Sequence, residues 1–222
     1  MTDLSKIDSS KHIALLCDEQ SFANASAVYS YVLTKHKKVS IIAQKSIAKK
    51  FSFLPWYDKL RQNIPSSADS IIEVDSCALS LFDFFQNQEI KINKKMATSM
   101  YGALLIEYDC FCSERCNGMV FAAAAKLIEL NAEDKECLKY LKQSKPLAYF
   151  RLQARLYENL LLKENATVAL LSLCQEDLEA SGASFDDAYL IMKEVLDLVH
   201  VQEVRLLKKD ENDKILKSIR RK

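Results

Sequence analysis

The chain has 222 residues, room for one large domain or two small ones that bury a core without disulfides or metal. Glycine is scarce: Gly102, Gly118 and Gly182 are the only three, against an ordinary usage of roughly 7%. Neither G-x-G-x-x-G nor G-x-x-x-x-G-K-[ST] occurs, which excludes glycine-rich phosphate cradles. Charge is balanced, 31 basic against 30 acidic residues, so net charge makes no case for nucleic acid or a membrane surface. The three histidines (His12, His36, His200) are far apart, which excludes H-E-x-x-H zinc chemistry. No apolar run approaches the ~20 residues of a membrane span. The polar start MTDLSKIDSSKH is not that of a signal peptide. Seven cysteines form an odd set with no secretory context, so reduced thiols in a cytoplasmic protein are expected.

In chain order, HIALLC (12–17) is a short apolar run suited to a buried strand. After a polar stretch, Asp18–Ser21, an alanine-rich amphipathic segment runs to His36, and its cationic end suits a helix dipole. VSIIA (39–43) predicts a second strand. A basic helical piece follows, ending in FSFLPWYDKL, where Pro55 marks a break. ADSIIEVD (68–75) predicts a third strand, giving an α/β layered domain with a mostly parallel sheet.

From Ala78 to Lys145 apolar residues recur at three and four, predicting helices in ALSLFDFF, KKMATSMYGALLIEY, MVFAAAAKLIEL and DKECLKYLKQ. Pro146 then opens a helical stretch over 147–163, taken as a connector between two lobes. The remainder returns to α/β rhythm. ATVALLSL predicts a strand, and SFDDAYLIMKEVLDLV a helix with Ser184 as N-cap. QEVRLLKK and KILKSIRR predict two strands around a polar turn at Asp210–Asp213.

Taken in this order, the segments HIALLC, VSIIAQ, FSFLPWYDKL, KINKKMATSMYGALL, NGMVFAAAAKLIELNAE, ATVALLSLCQEDLEASGA and KILKSIRRK resemble the DHH phosphoesterase family. That family includes nanoRNases, adenosine bisphosphate phosphatases and RecJ-like exonucleases. The resemblance spans roughly residues 10–222 and implies a two-lobed α/β fold. It assigns residues 1–145 to a degenerate DHH-like domain, 146–164 to a connector helix and 165–222 to a partial DHH-associated domain. It further implies two manganese ions held by aspartates and histidines in the first lobe, with substrate gripped by the second lobe across a cleft. Water attack on a phosphodiester needs two such cations ~4 Å apart, held by several converging ligands.

Each acidic motif of the family departs here. In CDEQSFANASA the two aspartate slots of the first motif receive Gln20 and Phe22, or Phe22 and Asn24, while Asp18 and Glu19 stand nearby at the wrong spacing. No Asp-His-His triplet occurs anywhere. Asp75 in EVDSCALSLFDFF stands either for the lone strand-end aspartate or for the aspartate that follows the triplet. In YGALLIEYDCF, Glu107 takes the place of the fourth-motif aspartate and is one methylene longer. The family's GGGH phosphate loop is not found after SIRRK, and the associated domain is expected to be incomplete.

The metal-ligand candidates implied by the resemblance are therefore Asp18, Asp75 and Glu107, against the alternative that all three are ordinary strand-end and loop acids. The family's Ser-x-Arg step, which lines its substrate cleft, maps to Ser218 and Arg220. The histidines fall in no ligand slot and are expected to be structural. Cys110, Cys112 and Cys116, with Cys17, lack the C-x₂-C pair of a thiolate zinc site and are expected to be reduced thiols. Two basic stretches, residues 35–50 and 205–222, could attract an anionic chain or simply form a solvated face. Tyr29 and Tyr31, two apart on one helix, point to different faces, and core packing is expected for at least one.

The chain is thus expected to be a non-catalytic DHH homologue with residual nucleotide or short-oligonucleotide binding and no cofactor. Two alternatives stay open. One is an active phosphoesterase on short oligonucleotides or nucleoside bisphosphates, using manganese and rearranged ligands. The other is a structural or interaction protein whose open sheet edge is covered in a homo- or hetero-oligomer.

Overall fold

The computed structural model describes residues 4–143, 145–209 and 214–221; the expected turn at 210–213, the final basic residue Lys222 and residues 1–3 lie outside these. The chain divides into two compact units, Met1–Ser144 and Lys145–Lys222.

The first unit is built on a four-stranded parallel sheet. Its strands are β1 (His12–Leu16), β2 (Lys38–Ile42), β3 (Leu60–Arg61) and β4 (Ser70–Glu73), in the order β3-β2-β1-β4. β1 is central, with Leu15 facing Ile41 on one side and Ile72 on the other. A strand paired on both edges and covered on both faces must be apolar at consecutive positions, which is why HIALL reads as an unbroken run. Helix α1 (Phe22–Thr34) connects β1 to β2 and is buried at every residue from Phe22 to Val32. Four more helices follow: α2 (Ala78–Asn87), α3 (Lys94–Glu107), α4 (Gly118–Glu129) and α5 (Asp134–Leu138).

Helix α3 is buried continuously from Met96 to Leu105 and packs along α1. Both helices lack the one-sided apolar stripe of a surface helix because neither has a solvent side over those turns. Their buried hydroxyls pair with each other: Ser26 Oγ lies 2.8 Å from Ser99 Oγ and donates to the Pro55 carbonyl. Asn93 and Asn117 cap α3 and α4 by accepting from Met96 N and from Met119 N and Val120 N.

Two expectations are corrected. The basic helical piece after β2 is not a helix; it contains only 3₁₀ turns at Lys49–Phe51 and Tyr57–Lys59. Within QKSIAKK only Ile47 is buried strongly enough to anchor it, too little for an amphipathic face to offset the cost of nucleating a helix. The two-residue β3 follows these turns and carries no periodic signal of its own. The helix expected over 147–163 is α6 (Leu147–Glu158), and Leu161–Lys163 instead form β5.

The second unit holds a mixed sheet of β5, β6 (Val168–Leu173), β7 (Glu203–Lys208) and β8 (Lys214–Arg220), in chain order. β6 and β7 are parallel; β5 and β8 pair antiparallel on the outside. Three consecutive residues, Glu164, Asn165 and Ala166, take positive φ to close the β5–β6 hairpin. Helices α7 (Gln175–Ser181) and α8 (Phe185–Leu196) lie between β6 and β7 in sequence. The short α7 stops at Gly182, whose φ of 71° suits the left-handed residue after a helix. Ser184 caps α8 as expected, in a reciprocal box with Asp187. Tyr149, Leu152 and Leu156 of α6 and Ile191, Met192 and Val195 of α8 bury against Ala169, Leu171, Val204 and Leu206 of the sheet. The alternate residues of β7, Glu203 and Arg205, therefore occupy the opposite sheet face.

Leu104 is fully buried in α3. Leu104→Ala is expected to cost about 2–5 kcal/mol. The check is the urea midpoint followed by the fluorescence of Trp56, the single tryptophan, which lies in the same unit.

Candidate functional site

In an open parallel sheet, ligands bind outside the carboxyl ends of the strands, where the strand order switches direction. Here the chain leaves β1 for β2 on one side and later adds β4 on the other. Over those three strand ends lies a crevice of about 700 Å³, with Asp18, Glu19, Gln44, Lys45, Ser46 and Glu73 among its walls. Of these only Asp18 and Glu19 were visible as candidates in the sequence. Gln44, Lys45, Ser46 and Glu73 are strand-end residues that the switch-point rule would have singled out.

Asp18 forms the turn that enters α1. Its Oδ1 accepts from Gln20 N (3.0 Å), Ser21 N (2.8 Å) and Ser21 Oγ (2.8 Å), while Ser21 Oγ accepts from Asp18 N (3.0 Å). The hydrogen bond from the Ser21 amide, ahead of the other donors, holds this carboxyl below the usual aspartate range. The neighbouring Cys17 thiol donates to the Ile42 carbonyl and is pushed up to about 12 by burial, with the Asp18 charge adding to it. At neutral pH it is a thiol, not a nucleophile.

Asp75 and Glu107 each accept from an amide at the start of α2. Asp75 Oδ1 accepts from Cys77 N (3.1 Å), and Glu107 Oε2 accepts from Ala78 N (2.7 Å). Carboxylates at a helix N-terminus are favoured by unsatisfied amides and by the dipole together. The Asp75 carbonyl also accepts from Asn24 Nδ2 (2.9 Å), which ties the start of α1 to the end of β4. Asn24 is, in one of the two alignments open from the sequence, in an aspartate slot of the first motif. It is fully buried, and its Oδ1 has no hydrogen-bond partner.

The structure thus brings Asp75 and Glu107 to one helix end and places Asp18 at another. Among the described residues, no three His, Cys, Asp or Glu side chains converge as metal ligands would. Two hard cations need several such oxygens around each ion. The residues present do not fit a manganese pair.

His12 is buried between Ser67 Oγ and Ser40 Oγ, each 3.0 Å from a ring nitrogen. All seven cysteines are unbridged, and the Cys112 and Cys116 thiols lie against the carbonyls of Cys110 and Tyr108. Tyr29 and Tyr31 are both buried, against Trp56 and Phe85 respectively.

Ser218 and Arg220 lie on β8 in the second unit, and a residue that sequence reasoning missed holds both. Glu203 Oε1 accepts from Ser218 Oγ (2.8 Å) and Arg205 Nε (2.6 Å); its Oε2 accepts from Arg220 Nε (3.0 Å) and Arg205 Nη2 (3.2 Å). Hydrogen bonds from Arg205 and then Ser218 draw the Glu203 carboxyl down to about 2. The available signal was the alternation Glu203-x-Arg205 facing Ser218-x-Arg220 in two adjacent strands.

Other cations of the two basic stretches are also engaged internally. Lys37 Nζ donates to three carbonyls, Arg221 donates to the carbonyls at the end of α8, Lys50 pairs with Glu19, and Lys217 lies over the Tyr189 ring.

No family model matches the sequence, and no curated protein matches it. Among solved structures, an exopolyphosphatase-related protein from Bacteroides fragilis superposes with a TM-score of 0.74 at 11% identity, over 97% of this chain and 82% of that one. A proposed family II inorganic pyrophosphatase from Methanococcus jannaschii aligns over 89% of this chain and 83% of its own, at 14% identity and a TM-score of 0.37. The first likeness shows that the chain shares the fold of that exopolyphosphatase-related protein.

Two stability measurements test the structural roles of the carboxylates. Glu107→Ala is expected to cost about 1 kcal/mol through the lost cap of α2, and Glu107→Gln, which keeps an acceptor, much less. Asp18→Ala should also cost about 1 kcal/mol at pH 7. Folding depresses this carboxyl below the ~3.9 of an unfolded aspartate. Its contribution is therefore complete above that value and lost as pH falls through the folded one, so wild type and variant converge in acid. Urea midpoints at pH 7 and in acid read both effects.

Proposed function

We propose that this chain is a non-catalytic protein of the DHH-type fold that binds a nucleotide or a short oligonucleotide in the crevice over β1, β2 and β4. One observation supports the first half: among the described residues no three His, Cys, Asp or Glu side chains converge as ligands, and Asp18, Asp75 and Glu107 each give one carboxylate oxygen to the chain's own backbone amides. In either alignment of the first acidic motif, its slots hold uncharged residues, Gln20 and Phe22 or Phe22 and Asn24.

The second half is supported by the crevice itself. It lies where open parallel sheets take their ligands, it is walled by polar side chains, and Lys45 supplies a cation beside the start of α1. The Bacteroides fragilis structure is named for a phosphate-handling activity, which is consistent with a phosphate-bearing ligand.

A protein partner is a second reading. β8 is an outer strand exposed along most of its length, and Ile215 and Leu216 are apolar at that edge. Exposed edges of this kind pair readily with another strand.

Calorimetric titration with adenosine monophosphate and with a di-adenylate tests the proposal. Binding is expected, weakened roughly tenfold by Lys45→Glu through loss of a charge-assisted contact. No hydrolysis of the di-adenylate should accompany it with manganese added. Turnover that disappears in Asp75→Ala and Glu107→Ala would overturn the non-catalytic assignment.

A further inference from the structure

We propose that the base of the nucleotide ligand is held outside the crevice, in a smaller apolar-walled pocket between the end of α3 and the 3₁₀ turn Lys49–Phe51. This rests on the reading of the crevice as a nucleotide site; what it adds is the place of the base.

Three observations carry it. First, the pocket adjoins the crevice: Glu19 and Gln20, in the turn that enters α1, line both. A ligand whose phosphate lies in the crevice reaches the pocket across that turn. Second, the size is that of one ring system. The pocket holds about 270 Å³, below the ~300–1,000 Å³ of sites that enclose whole drug-sized ligands. Third, its walls are apolar. Phe51, Leu105, Ile106 and Leu141 come from three separate elements. Phe51 and Leu105 are buried and form the floor, whereas Ile106 and Leu141 are half-buried and flank it.

One further wall exists because the chain doubles back after α3. Asp109, Cys110 and Phe111 take φ of 47°, 52° and 65°, and Cys110 N donates to the Leu105 carbonyl (2.7 Å). The turn returns Asp109 and Cys110 to the side of Leu105.

The charges around the pocket offset one another. Lys50 pairs with Glu19 at 3.0 Å. Burial raises the Cys110 thiol, against the nearby Lys142 and with the nearby Asp109, so the thiol is neutral and a cation stands near the second acid. Among the described residues here, no cation is in excess to hold a phosphate. An uncharged ring with hydrogen-bonding edges suits such a pocket, and the Gln20 amide and the two carboxylates supply donors and acceptors at its rim.

Titration calorimetry on the full chain compares adenosine monophosphate with ribose 5-phosphate, which has the phosphate and sugar without the base. Adenosine monophosphate is expected to bind at least about tenfold more tightly, the effect of burying roughly 60 Å² of apolar surface. Ile106→Trp and Leu141→Trp each fill the pocket from a different element, and in either variant the ratio of the two affinities should fall to about one. Circular dichroism checks that each variant folds. The parent supplies a reading that needs no variant: adenosine monophosphate should slow alkylation of Cys110 by N-ethylmaleimide, followed by peptide mass spectrometry, and ribose 5-phosphate should not. Equal affinity of the parent for both ligands, folded variants that keep the parent's ratio, or a Cys110 left unprotected would each overturn the base pocket and leave the nucleotide reading standing. A parent that binds neither ligand would overturn both.

Discussion

The packing of α3 along α1, with α1 itself against the parallel sheet, is the contact on which the first unit depends. Both helices are buried over nearly three turns, and each fully buried large apolar side chain contributes roughly 1.5–3 kcal/mol. With no polar face to slide against, the two helices have one way to sit, which the Ser26–Ser99 hydrogen bond marks. The consequence reaches the strand ends. The carboxyl end of α3 delivers Glu107 to the first turn of α2, while the amino end of α1 delivers Asn24 to the carbonyl of Asp75.

A second constraint follows from what a helix end and a guanidinium need. Unsatisfied N–H groups attract an anion, and the nearest available one is often a side chain of the same chain. Asp18, Asp75 and Glu107 each meet that need at the start of a helix, and Glu203 meets it for two arginines. Here the chain fills these positions with its own side chains. The same hydrogen bonds hold the carboxyls of Asp18 and Glu203 below their ordinary range. Burial acts oppositely on the thiols of Cys17 and Cys137, both pushed up to about 12, which keeps them as small apolar side chains rather than ligands.

Much of the fold was legible because it rests on local pattern. HIALLC has the composition of a strand buried on both faces, and it is the central strand. KKMATSMYGALLIE has helical spacing, and S-x-x-D at Ser184 is a capping box in the letters themselves. The missed pieces lack such patterns. β3 is two residues long, and the β5–β6 hairpin closes through Glu164, Asn165 and Ala166 at positive φ rather than through glycine. QKSIAKK, expected as a basic helical piece, buries only Ile47 fully and forms no helix of its own.

The sequence by itself determined the order of the longer strands and helices, the scarcity of glycine and the lack of an Asp-His-His triplet. Only the tertiary structure decided what the remaining acids do. Glu107 meets an amide 29 residues earlier in the chain, and Glu203 meets donors 15 and 17 residues later. The reason is physical: residue spacing encodes which side of an element is apolar, but a carboxylate's partner is set by helix packing and strand register. Those emerge only when distant segments are brought together.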